Sequence, residues 1–101
     1  VEMARTGEFF GLQIKGDSMA PRILDGDVVI VKRQPTVESG EIAIIMVNGD
    51  DATCKRVMHH ENGLSLVSNN TAYPPRYFTA QEVERLPIQV IGKVVELRGK
   101  F

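Results

Sequence analysis

The segment from Glu41 to Val47 constrains this chain most. Ile42, Ala43, Ile44, Ile45, Met46 and Val47 follow one another with no polar residue between them. A run this short, apolar on every position and rich in β-branched residues, reads as a strand covered on both faces. Asn48-Gly49 follows at once, and both residues tolerate positive φ, so the strand should turn back through a tight hairpin. The return strand is read as Ala52 to His59. Composition points the same way: 12 Val and 8 Ile stand against 6 Leu and 6 Ala. Stiffness at χ1 makes such a mixture a poor helix former and a good strand former.

Turn signals divide the rest into similar pieces. Phe9 to Lys15 reads as a first strand ending at Gly16. Gly16-Asp17-Ser18-Met19-Ala20-Pro21 reads as a turn, with Pro21 opening one helical turn through Leu24. Asp25-Gly26 precedes a strand, Val28 to Val31, which leads into Lys32-Arg33. Gln34 to Gly40 is a loop. Asn62-Gly63 implies a second hairpin with Leu64 to Val67, and Ser68 to Arg76, with Pro74-Pro75, reads as irregular. Thr79 and Glu82 have capping-box spacing, so Thr79 to Leu86 is expected to form a short helix. Ile88 to Leu97 is the last strand. About six strands with almost no helix imply an all-β fold, a small, strongly bent antiparallel sheet or partly open barrel.

At 101 residues the chain is one domain, with residues 1–8 read as linker. The 12 basic and 13 acidic residues leave a net charge of −1, which provides no electrostatic footprint for a nucleic-acid backbone. No apolar run approaches the roughly 18–20 residues of a membrane span, so no membrane partner is expected. A single cysteine, Cys54, excludes an internal disulfide and suits a reducing, cytoplasmic setting. Val1 in place of an initiator methionine makes a piece of a longer protein the expectation.

Three segments are candidates for chemistry: Gly16 to Pro21, Leu24 to Asp27, and Ala52 to Val57. A serine in a Gly-flanked turn can present its hydroxyl outside any backbone ladder, although serine is a common turn residue. On a strand, Thr53, Lys55, Val57 and His59 share one face, and Ala52, Cys54, Arg56 and Met58 the other. Lys55 then either snorkels to water or lies in a desolvated pocket. There its ammonium would lose hydration, and the neutral amine would become a general base for a serine. His59 and His60 point to opposite faces, which disfavours a shared metal. Asp25 and Asp27 are read as turn formers that bond to backbone. Asp50-Asp51 are read as solvent-facing. No metal site or cofactor-binding motif is read in the chain.

Taken in order, Ser18-Met19 with Pro21, Asp25-Gly26-Asp27, and Thr53-Cys54-Lys55-Arg56 resemble the C-terminal peptidase domain of LexA, phage repressors and UmuD. The spacing from Ser18 to Lys55 agrees with that family. The likeness continues through Ser68-Asn69-Asn70 into Val90-Ile91-Gly92-Lys93-Val94-Val95 and covers nearly all of residues 9–98. The resemblance implies a LexA-type fold and a serine endopeptidase that cuts its own interdomain linker. Ser18 would be the nucleophile, Lys55 the general base, and backbone N–H groups around Ser18 and Met19 the oxyanion donors. Thr53 and Arg56 would be structural support, and Cys54, where relatives often carry an aliphatic residue, a small core residue. The family's scissile bond, typically Ala-Gly, lies well upstream of the serine, and residues 1–17 contain no such pair.

The same resemblance implies a transcriptional repressor whose DNA contacts belong to a separate N-terminal domain, with a RecA filament as co-activator of cleavage. It also implies a homodimer through the C-terminal strand. In that strand Ile88, Val90 and Val94 are expected on one face and Ile91, Val95 and Leu97 on the other. The competing expectation is that the strand is central in its own sheet. Alternatives in function are a dimerisation module with an unused peptidase site, a UmuD-like polymerase accessory domain, and a type I signal peptidase. The last normally requires an apolar anchor and a larger domain.

Overall fold

A computed structural model describes residues 8–49 and 52–99. Within them are seven strands: β1 (Phe9–Gln13), β2 (Val28–Arg33), β3 (Ile42–Val47), β4 (Thr53–His60), β5 (Gly63–Val67), β6 (Arg76–Thr79) and β7 (Ile88–Gly99). One helix, α1 (Ala80–Arg85), lies between β6 and β7. All strand pairs are antiparallel, in the order β1-β2-β7-β3-β4-β5-β6, and the sheet does not close. The all-β, open, bent-sheet expectation holds.

The uniformly apolar β3 lies fourth of the seven strands and has core on both faces. Ile44 is buried with Ile14, Met19, Ile23, Val29, Val31 and Cys54. Its neighbours Ala43 and Ile45 point the other way, into a second cluster with Val37, Val57, Leu64, Leu66 and Phe78. Absence of alternation in β3 therefore has a direct cause: a strand between two cores has no face left for water. The turn after it is the one its sequence demands, with Asn48 at φ 55° and Gly49 at φ 74°. Asp50 and Asp51, like the expected linker up to residue 7, lie outside the described residues.

Several expectations require correction. The strands number seven because Arg76–Thr79, whose ends are read as the close of the irregular stretch and the start of the helix, pairs with β5 from Gly63↔Thr79 to Leu66↔Arg76. Only Phe78 of these four is buried, so the segment carries almost no periodic signal. The second hairpin pairs His60 with Gly63, which makes Glu61-Asn62 its two-residue loop rather than Asn62-Gly63. Gly63 is needed for another reason: a Cβ there would collide with the Phe78 carbonyl of β6. Pro21 opens no helix. The segment is a turn closed by the Ile23 N–H donating to the Met19 carbonyl at 2.9 Å. One such bond does not nucleate a helix.

The final strand departs most from simple alternation. β7 runs between β2 and β3, so both its edges are paired. Its register slips against β3 between Ile44 and Ile45, and against β2 at two places. Each slip is a bulge that inserts one residue and reverses the face that follows. Ile88 and Val90 thus pack on the second cluster, whereas Val94 joins Ile91 on the first. The expected grouping of Val94 with Ile88 and Val90 is wrong for that reason. The expected helix is present, with Thr79 as N-cap and a complete capping box to Glu82.

Candidate active site

Ser18 sits in the loop between β1 and β2, and that loop is shaped by carboxylates taking backbone donors. Asp25 Oδ1 accepts from Gly16 N–H at 2.7 Å, and Asp27 Oδ2 accepts from Leu24 N–H at 2.8 Å. Asp27 is the buried polar residue among the described residues, so its carboxylate is an internal strut. Both aspartates therefore serve the turn, as their Asp-Gly-Asp context implied. Beneath the loop, Met19 is 1% exposed and packs with Ile14, Ile23, Ile44 and Cys54. A fully buried side chain next to Ser18 fixes where the serine backbone lies.

Lys55 approaches from β4, on the face it shares with Val57. Its Nζ donates to Ser18 Oγ at 2.7 Å. Two residues far apart in sequence are thus in direct contact, and the contact is partly buried. Burial holds the Lys55 ammonium below the ordinary lysine range. The nearby Arg76 guanidinium pushes in the same direction, and Cys54 opposes it. A neutral Lys55 amine would reverse the bond, with the serine O–H donating to nitrogen. That is the geometry required for removing the hydroxyl proton.

Cys54 is close in sequence but turned away. It is 6% exposed in the core cluster, and burial pushes its thiol up to about 11, with the charge of Lys55 opposing. At neutral pH it is a protonated core side chain, not a competing nucleophile. Arg56 donates through Nη1 to the Gly40 carbonyl at 2.6 Å and through Nη2 to Asn69 Oδ1 at 3.4 Å, joining β4 to two loops. Thr53 pairs with Ile45 at the start of β4. The histidines go separate ways: His59 Nε2 contacts the Val37 carbonyl at 2.8 Å and His60 Nε2 the Ser65 hydroxyl at 2.7 Å.

The segment after β5 is the part of the site that residue patterns alone did not assign. Asn70 N–H donates to the Ser18 carbonyl at 2.9 Å, and Asn70 Nδ2 to the Asp17 carbonyl at 3.0 Å. Tyr73 donates its hydroxyl to Asp17 Oδ1 at 2.5 Å, so the carboxylate beside Ser18 is also held by this segment. In the sequence Ser68-Asn69-Asn70 is part of the irregular stretch and of the family likeness, with no role of its own. Its asparagines, common in turns, gave no sign of contacting a segment so distant in the chain. A cleft of about 380 Å³ opens between the end of β1 and the start of β4, lined by Leu12, Gln13, Ile14, Lys15, Ala52, Thr53 and Cys54 and by neither member of the pair. A larger apolar groove, lined by Val37, Val57, Leu64 and Val90 among others, contains neither Ser18 nor Lys55.

A hydroxyl paired with a partly desolvated amine is the minimal equipment for activating a serine. Comparison with protein families adds a match over residues 2–95 to the family described as Peptidase S24-like. The chain belongs to the Peptidase S24-like family. The match spans the Ser18 loop, all of β4 and the asparagine loop, and it agrees with the LexA- and UmuD-like resemblance of the motifs. Membership in this family points to serine peptidase chemistry. No helix among the described residues is long and apolar enough to cross a membrane.

Proposed function

We propose that this S24-like domain is a self-cleaving serine endopeptidase in which Ser18 is the nucleophile and Lys55 the general base. The contact between Lys55 Nζ and Ser18 Oγ at 2.7 Å carries the reading. Neutral Lys55 takes the hydroxyl proton while Ser18 Oγ bonds to the scissile carbonyl carbon. The carbonyl electron pair moves onto oxygen, and the backbone N–H groups of Ser18 and Met19 face that oxyanion. Collapse of the intermediate breaks the C–N bond, and Lys55 returns its proton to the leaving amine. Water, deprotonated by Lys55, then hydrolyses the Ser18 ester, releasing the acid and restoring the serine.

The motifs shared with LexA and phage repressors support a finer reading. The substrate is the protein's own linker to a DNA-binding domain, the setting is the cytoplasm, and a RecA-type filament promotes cleavage. In the full-length protein carrying this domain, incubated from pH 7 to pH 10.5, cleavage is expected to be first-order, faster at higher pH, and absent in Ser18→Ala. No cleavage at any pH, with or without a filament on single-stranded DNA, would sink the reading. So would cleavage that survives Ser18→Ala.

The same proteins support a homodimer through β7. Its edges are occupied, so contact must use its face, where Val95 and Leu97 are 44% and 45% exposed. Sedimentation of a Val95→Ser, Leu97→Ser double variant is expected to show weaker self-association with an unchanged monomer melt. Undiminished association would remove β7 from the interface.

A further inference from the structure

Asn70 makes two bonds to the Ser18 loop, and they fall on consecutive peptide units. The Asp17 carbonyl that accepts from Asn70 Nδ2 shares its peptide plane with the Ser18 N–H. The Ser18 carbonyl that accepts from Asn70 N–H shares its plane with the Met19 N–H. In a trans peptide the C=O and N–H point in opposite directions, and neither unit is among the cis bonds of the chain. Holding each carbonyl toward Asn70 therefore aims both N–H groups to the opposite side. Among the described residues neither the Ser18 N–H nor the Met19 N–H has an acceptor. Two adjacent free donors beside a serine hydroxyl are what a developing oxyanion requires.

We propose that Asn70 is a positioning residue that sets the two peptide planes whose N–H groups form the oxyanion site. The assignment rests on the peptidase reading above. Asn70 bonds to the backbone carbonyls of Asp17 and Ser18 and not to Ser18 Oγ, so it acts through the peptide planes. Asp17 O also accepts from Ala20 N–H at 3.1 Å, so the carboxamide supplements a bond inside the turn. Asn70 is itself held, because Oδ1 accepts from Ala72 N–H at 2.9 Å and its carbonyl accepts from Tyr73 N–H at 3.0 Å. Next to it Asn69 is tied to Arg56, the neighbour of Lys55 on β4. The loop thereby references the oxyanion donors to the strand that carries the base.

The test separates oxyanion geometry from dyad geometry and from stability. In the full-length protein Asn70→Ala is expected to slow self-cleavage about 10- to 100-fold, as misplacing transition-state donors does. A peptide boronic acid, whose tetrahedral adduct on Ser18 places an oxygen where the oxyanion forms, should bind weaker by a similar factor. The pH at which the rate reaches half its plateau and the melting temperature should both stay in place. Asn70→Gln, which keeps a carboxamide, should recover part of both losses. An unchanged rate or an unchanged boronate affinity in Asn70→Ala overturns the assignment. A displaced pH midpoint also overturns it, because the effect would then run through Lys55. Wild-type protein that neither cleaves nor binds the boronate overturns the peptidase reading and this assignment with it. Wild-type activity with an unimpaired Asn70→Ala overturns this assignment alone.

Discussion

Lys55→Met is expected to cost about 10²–10⁴ in cleavage rate, the usual worth of a positioned general base, without unfolding the domain. Methionine fills the lysine stem's space and carries no charge, so the substitution separates the amine from the packing. Burial disfavours the ammonium in the folded state and lowers its pKa from 10.5. The charged form therefore opposes folding at neutral pH. Stability attributable to Lys55 rises as pH climbs through the lowered folded pKa and stops rising above the unfolded value of 10.5. Denaturation by urea should accordingly find Lys55→Met as stable as the parent protein at pH 7, or more so, with the advantage gone by pH 11. Activity in the parent protein follows the same ionisation. Its logarithm should climb with unit slope and level off below pH 10.5, where the amine is already neutral. Lys55→Arg, charged throughout this range, should remain inactive across it. A Lys55→Met protein that cleaves at the parent rate would remove lysine from the mechanism. A rate still climbing past pH 10.5 would remove burial as its tuning device.

The path from residues to this site shows which information lies in local patterns. β3 and the Asn48-Gly49 turn were legible because an unbroken apolar run and a positive-φ dipeptide each have one cheap conformational solution. Thr79 and Glu82 announced the helix start for the same reason: the capping box is local chemistry. Asp25 and Asp27 were legible as turn formers, though not the depth at which Asp27 is buried. β6 was hidden because a four-residue edge strand with one buried side chain has no period to detect. The bulges in β7 were hidden because nothing in Ile88 to Leu97 marks where an inserted residue flips the pleat. Val94 was placed on the wrong face in consequence. Gly92 gives a hint only in hindsight, since a Cβ there would press on the Lys32 carbonyl across the β2–β7 pair. The meeting of Ser18 and Lys55 could be read only by resemblance, because contact across a sheet depends on register and bend. Asn70 had no pattern to betray it; its role follows from where a loop comes to rest.

Ile44→Ala and Ile45→Ala should each cost about 2–5 kcal/mol, yet only the first should slow cleavage in molecules that remain folded. Both side chains are almost fully buried, at 1% and 0% exposure, so each deletion leaves a cavity the neighbours cannot fill by simple collapse. Against a typical net stability of about 5–15 kcal/mol, either loss is large. The two cavities open in different cores. Ile44 lies with Met19, Ile14, Ile23 and Cys54, the layer on which the Ser18 loop rests. Hollowing it lets Met19 settle, and the serine backbone with it, while Lys55 stays on its strand. A shift of about 1 Å between nucleophile and base can cost about 10²-fold in rate. Ile45 supports Val57, Leu64, Leu66 and Phe78, which hold β4 to β6 together on the opposite side of the sheet. Its loss weakens that layer without undermining the Met19 seat. Urea titration gives the fraction folded, and the cleavage rate per folded molecule then distinguishes the two variants. Equal rates would mean that the Ser18 loop is positioned by its aspartate and asparagine hydrogen bonds alone, and that the apolar layer beneath it matters only for stability.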